Sequence, residues 1–155
     1  MYVEIQDSYM NVRDIMSTDL VTVRPEVSLQ TAVTSMLDDK VGSVIVERDG
    51  DPVGIITETD VLALGTSFEA PFEGIPVTRA MSENLITTDP DASLEDTIET
   101  MHDYGIKKLP VLEGDALVGI VTLTDLVYHQ HDLASEAKRL EERRADDERR
   151  LRTTE

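Results

Sequence analysis

The same succession of hydrophobic and polar positions runs through this chain twice. Leu20 to Val23 and Leu85 to Thr88 read as short extended stretches, each closing just before Pro25 or Pro90. Downstream, Leu29, Ala32, Val33 and Met36 follow the i, i+3/i+4, i+7 spacing of a helix with one buried face, and Leu94, Ile98 and Met101 do the same. Ser28 and Ser93 stand where such helices open. The apolar runs Val44-Ile45-Val46 and Leu109-Pro110-Val111 predict buried strands. Each is followed by a Gly-containing acidic turn, Asp49-Gly50-Asp51 or Glu113-Gly114-Asp115. Second strands are expected at Val53 to Ile56 and Val118 to Val121, with further helices beginning at Asp60 and Asp125. The order β-α-β-β-α, with short turns, predicts an α/β fold in which helices cover small sheets.

The periodicity reflects a duplication. At an offset of 65 residues, 12–62 and 77–127 share 17 identities in 51 positions without a gap. Unit boundaries follow: an N-terminal segment at 1–11, repeat one at 12–64, a linker at 65–76, repeat two at 77–131 and a charged tail at 132–155. A unit of about 50 residues is marginal alone because it buries too little surface, so the two repeats should stack through their apolar faces. The tail has good helix propensity, but Leu133, Ala137, Leu140 and Leu151 form only a broken apolar stripe. A sustained coiled-coil seam is missing, and a solvated helix is expected.

Composition narrows the function. With 32 acidic against 14 basic residues the formal charge is −18. Residues 1–131 hold 24 acids and 7 bases, so the excess sits in the repeats rather than the tail. Such a surface repels phosphate backbones and argues against nucleic-acid binding. Lysines number 4, fewer than the arginines, a composition suited to a high-salt, halophilic cytoplasm where charge repulsion is screened. The absence of cysteine removes disulfides, thiolate metal sites and a Cys nucleophile. No apolar run is long enough for a membrane span, and the start lacks a signal-peptide pattern, so a cytoplasmic protein is expected. His129 and His131 fall on different sides of a helix and His102 lies apart, so no metal site is expected. There is no P-loop, no Gly-x-Gly-x-x-Gly and no Ser/His/Asp set, so a hydrolase is the most remote reading and no catalyst is expected.

Several ordered motifs recur in both halves: Val-x-x-x-Met-Ser at Val12 and Val77, Thr-x-x-Pro at Thr22 and Thr87, and Gly-x-x-Thr-x-x-Asp at Gly54 and Gly119. With the strands around Val41-Gly42-Ser43-Val44 and Ile106-Lys107-Lys108-Leu109, they resemble tandem CBS domains, the CBS pair or Bateman module. That resemblance spans 12–127. It implies two repeats packed through their sheets with pseudo-two-fold symmetry, commonly as a homodimer. It also implies a regulatory module that binds AMP, ADP, ATP or S-adenosylmethionine between the repeats and signals to an enzyme or transporter. Carried over by resemblance, Asp60 with Thr57 and Asp125 with Thr122 would take ribose and approach phosphate. Adenine contacts would come from Thr22, Val23, Val41, Gly42 and Ser43 in one site, and from Thr87, Thr88, Ile106, Lys107 and Lys108 in the other.

Two readings of these residues compete. A carboxylate can accept both hydroxyls of a ribose, and a helix start offers N–H groups to a phosphate. Equally, Thr-x-x-Asp at a helix start is a capping box with Thr57 at the N-cap and Asp60 at N3, which would keep the Asp busy. Strand alternation predicts that at most one of Lys107 and Lys108 faces the cleft. Gly42, Ser43 and Ile45 replace Lys107, Lys108 and Pro110 in repeat one, so the two sites should differ. The alternative to a sensor is an interaction module with empty clefts.

Overall fold

The computed structural model describes residues 10–152, and between 130 and 137 it describes only the helical backbone. The segment 1–9 and the side chain of His131 thus lie outside the described residues. The elements run α1 (Val12–Ile15), β1 (Thr22–Val23), α2 (Leu29–Asp39), β2 (Ser43–Arg48), β3 (Asp51–Thr57), α3 (Glu58–Ser67), α4 (Leu94–Tyr104), β4 (Lys108–Glu113), β5 (Ala116–Thr122) and α5 (Leu123–Arg152). Two short 3₁₀ turns, Phe72–Gly74 and Val77–Arg79, carry the chain between repeats. Mixed α/β architecture with two small sheets is what the period pattern requires.

Local chemistry sets the boundaries. Ser28 Oγ accepts the Thr31 N–H at 3.2 Å and Ser93 Oγ accepts the Asp96 N–H at 3.0 Å, capping α2 and α4 where the sequence places their openings. Both helices end on a left-handed residue, Lys40 (φ 55°) and Gly105 (φ 63°). In the first sheet β1 runs parallel to β2 and β2 antiparallel to β3. The second sheet holds β4 and β5 alone. Here the expected strand Leu85 to Thr88 shrinks to one parallel bridge, Thr88 to Val111. Equivalent register shifts interrupt both hairpins, between Val46 and Glu47 and between Val111 and Leu112. Helices α3 and α5 start at Glu58 and Leu123, two residues before the expected Asp60 and Asp125, because the threonine that precedes each helix closes its first turn.

Each core draws on both sequence repeats. The core under the first sheet contains Ala32, Met36, Val44, Val46 and Ile56, but it is completed by Val77 and Met81 from the opening of repeat two. Reciprocally, Val12 and Ile15 from the opening of repeat one join Leu94, Met101, Leu109, Val111, Val121 and Leu126. Backbone bridges follow the same exchange: Ser82 N donates to Ile55 O at 2.9 Å, and Ser17 N donates to Ile120 O at 2.9 Å. The glycine of each Gly-x-x-Thr-x-x-Asp motif makes room for it. A Cβ at Gly54 would lie 2.6 Å from Met81 Sδ, and one at Gly119 would lie 2.7 Å from Met16 Sδ. Burying one valine stabilises by about 1.5–3 kcal/mol, so the exchanged openings contribute real binding energy between repeats.

Helix α5 is continuous through the boundary expected at 131–132. From Lys138 to Arg152 every residue but the half-buried Ala145 is exposed, as a solvated helix demands. No helix among the described residues is long and apolar enough to cross a membrane.

Candidate ligand clefts

Each cleft opens where the start of a strand from one unit meets the strand end and helix start of the other. Strands β2 and β4 begin at Ser43 and Lys108, whose cross-strand partners are Thr57 and Thr122. The exchanged openings then bring the second copy of the motif across. The result is crosswise pairing, and it alters the grouping expected by repeat.

The larger cleft, about 540 Å³, is lined by Thr57, Glu58, Thr59 and Asp60 of repeat one. Facing them are Asn84, Leu85 and Ile86, then Ile106, Lys107, Lys108 and Pro110 of repeat two. The smaller, about 160 Å³, is its pseudo-symmetric counterpart: Asp19, Leu20, Val21, Val41, Gly42, Ser43 and Ile45 face Ile120 and Thr122. Lys108 lines both. Small-molecule pockets commonly measure about 300–1,000 Å³, a range that the larger of these two clefts reaches and the smaller does not. The inequivalence anticipated from Gly42, Ser43 and Ile45 is therefore present, but the lysines and the Thr57/Asp60 motif meet in one cleft rather than in separate ones.

At the helix start in the larger cleft, both halves of a capping box are made. Thr57 N–H donates to Asp60 Oδ2 at 2.9 Å, and Asp60 N–H donates to Thr57 Oγ1 at 3.3 Å. Glu58 N–H donates to Gly42 O at 3.2 Å, so that turn has few free donors for an anion. The capping duty does not exhaust Asp60, because an ionised carboxylate has about four acceptor sites. In the other repeat only the Asp125 N–H to Thr122 Oγ1 bond is made, at 3.2 Å. Asp125 does not line the smaller cleft.

Both lysines line the larger cleft, against the alternation argument. Lys107 precedes β4, which begins at Lys108, so the strand rule does not govern the pair. Lys108 is half-buried and Lys107 exposed. The cleft lining thus holds two lysines and two carboxylates, Glu58 and Asp60.

Thr22 and Val23 lie elsewhere, in a separate pocket of about 230 Å³ with Arg24, Glu47 and Asp49. Parallel register explains the displacement: Thr22 sits opposite Ile45 and Val23 opposite Val46, already inside β2, so the residues level with its start are Leu20 and Val21. Thr88 is likewise level with Val111, and neither it nor Thr87 lines either cleft. The wall residues that sequence reasoning missed, Asp19 to Val21 and Asn84 to Ile86, directly precede the Thr-x-x-Pro motifs. Their apolar members, Leu20, Val21, Leu85 and Ile86, were the available signal.

A family model for the CBS domain matches residues 12–66 and 77–132. A CBS domain-containing protein of Bacillus subtilis, YhcV, is 36% identical over 120 residues, covering 77% of this chain and 85% of its own. Among solved structures, the CBS domain pair of MJ0100 in complex with 5'-methylthioadenosine and S-adenosyl-L-methionine superposes with a TM-score of 0.71 at 25% identity, covering 80% of this chain and 98% of that one. A hexameric CBS-CP12 protein from bloom-forming cyanobacteria gives 0.72 at 25% identity, covering 77% and 67%.

Proposed function

This chain belongs to the CBS-domain family as a tandem pair, and from that premise we propose that it is a non-catalytic sensor of an adenosine-type ligand. The observation that carries the proposal is the larger cleft, which joins Thr57 and Asp60 of one repeat to Lys107 and Lys108 of the other. Leu85, Ile86 and Ile106 offer an apolar wall for a base. Asp60 keeps acceptor capacity for ribose hydroxyls, and charged acceptors form the stronger hydrogen bonds. The two ammonium groups suit a phosphate, which makes AMP, ADP or ATP a better match here than a cationic sulfonium nucleoside. The neighbour MJ0100, whose pair holds two adenosine-type molecules, supports the ligand class.

Signalling follows from the exchanged openings. A ligand that touches both repeats binds one arrangement of them better than another and shifts the population toward it. Assembly is the second channel. Helix α3 buries none of its residues, and Leu62 and its equivalent Val127 are 73% and 54% exposed. An apolar groove of about 600 Å³ runs between α2 and α3, lined by Val33, Leu37, Val61 and Leu62. These faces fit a homodimer of the chain, and the hexameric neighbour makes a higher assembly the competing outcome.

Thermal unfolding in concentrated KCl, repeated with AMP, ADP, ATP and S-adenosylmethionine, tests the sensor. A ligand at 100 times its Kd stabilises by about 2.7 kcal/mol. No shift with any of the four at millimolar concentration would leave the interaction-module reading standing instead.

A further inference from the structure

Lys108 occupies an unusual place. It lines both clefts, and its Nζ lies 2.7 Å from where a Cβ on Gly42 would stand. The smaller cleft thus has an ammonium laid over its floor, in space that exists only because residue 42 has no side chain. The Glu58 carboxylate stands by the same spot, with Oε1 3.5 Å from that Cβ position. No ion pair within 4 Å holds Lys108 among the described residues. A half-buried cation that no ion pair within 4 Å fixes, on a flexible four-carbon stem, moves readily to a better anion. The equivalent residue of repeat one is Ser43, too short to do the same in return.

Resting on the reading of the larger cleft as a nucleotide site, we propose that Lys108 couples the two clefts. An anionic ligand in the larger cleft draws the ammonium off Gly42 and opens the smaller cleft to a second, uncharged adenosine-type ligand. Once Lys108 has left, Asp19 in the lining and the Glu58 carboxylate beside Gly42 are the charges that remain, so a second anion is repelled there. The two sites then hold ligands of different charge. The coupling is reciprocal, because whatever the first ligand does for the second the second must do for the first.

Calorimetric stoichiometry at fixed KCl, with AMP and adenosine as probes, tests this. The chain alone should take one AMP or one adenosine, and the chain saturated with AMP should take one further adenosine but no second AMP. Lys108→Ser, which copies Ser43, should take two adenosines without AMP and bind AMP at least tenfold more weakly. Gly42→Ala is the independent variant: it keeps the charge, but its methyl fills the space that Nζ would vacate, so the AMP-saturated variant should take no further adenosine. The coupling is overturned if the unaltered chain takes two adenosines or two AMP with equal affinity. One adenosine on Lys108→Ser also overturns it, as does adenosine uptake by AMP-saturated Gly42→Ala or a failure of the AMP-saturated unaltered chain to take adenosine. Binding of neither probe to the unaltered chain would instead bring down the nucleotide reading on which the coupling rests.

Discussion

Replacing Asp60 and Asp125 separately by alanine separates the structural from the recognition role of the motif. In repeat one the substitution removes the acceptor of the Thr57 N–H bond at 2.9 Å, in a half-buried setting. A net hydrogen bond is worth about 0.5–1.5 kcal/mol, and more when the acceptor is charged. Losing a carboxylate from the first turn removes a further 0.3–1 kcal/mol or so of interaction with the helix dipole. Alanine returns about half a kcal/mol through its better helix propensity. The balance for Asp60→Ala is a loss of about 1–2 kcal/mol. In repeat two the bond made is donated by the Asp125 backbone and survives the substitution. Only the dipole contribution goes, and Asp125→Ala should therefore cost no more than about 0.5 kcal/mol.

Thermal unfolding without ligand, in matched KCl, reads the difference. For a domain of this size 1 kcal/mol moves Tm by about 2–4 °C, so Asp60→Ala should melt roughly 2–8 °C below the parent and Asp125→Ala within about 2 °C of it. Adding AMP then isolates recognition. Stabilisation by AMP should vanish in Asp60→Ala and persist in Asp125→Ala, since Asp60 and not Asp125 lines the larger cleft. Equal losses in the two variants without ligand would refute the account of the caps. Unaltered AMP stabilisation in Asp60→Ala would refute its role in recognition.

Val77 is fully buried in the first core although it belongs to the second repeat by sequence. Removing two methyl groups at about 0.8 kcal/mol per carbon, plus a cavity contribution, makes Val77→Ala cost about 2 kcal/mol or more. Hydrogen exchange should show the lost protection in β2 and β3 ahead of β4 and β5. Lys40 holds a left-handed conformation at the end of α2 where Gly105 serves α4. Such a conformation costs an L-residue about 1–2 kcal/mol, so Lys40→Gly should stabilise by roughly 0.5–1 kcal/mol in a denaturant titration. At Gly119 a new Cβ would lie 2.9 Å from the Ser17 carbonyl oxygen as well as against Met16, whereas at Gly54 the three nearest atoms all belong to the Met81 side chain. Overpacking costs typically about 1–3 kcal/mol, and Gly119→Ala should fall above Gly54→Ala because backbone yields less than a thioether; the two denaturation midpoints compare them.

The elements were legible because each is specified within a few residues. Ser28 and Ser93 cap helices through bonds to residues three positions on, and the period of Leu29, Ala32 and Met36 marks a buried face without knowledge of what covers it. Duplication strengthened every such signal by showing it twice. What lay beyond the sequence was the exchange of the openings. Val12 and Val77 are apolar in either arrangement, and nothing in the Val-x-x-x-Met-Ser motif states which sheet it joins. The grouping of Asp60 with Thr22 and Ser43, natural along the chain, was therefore replaced by a grouping across it. Parallel register was equally silent in the sequence, and a shift of two residues moved the cleft wall from Thr22 and Val23 to Leu20 and Val21.

Crosswise construction also explains why a duplicated fold can hold two unequal sites. Each cleft draws on both repeats, so one substitution alters both. Lys108 in place of a serine adds a cation to the larger cleft and at the same time fills the smaller one over Gly42. Had each repeat built its own site, a lysine in repeat two could have strengthened one without touching the other. Asymmetry arises from this one residue, and in the proposed coupling so does communication, while Met16 against Gly119 and Met81 against Gly54 tie each opening to the sheet of the other repeat.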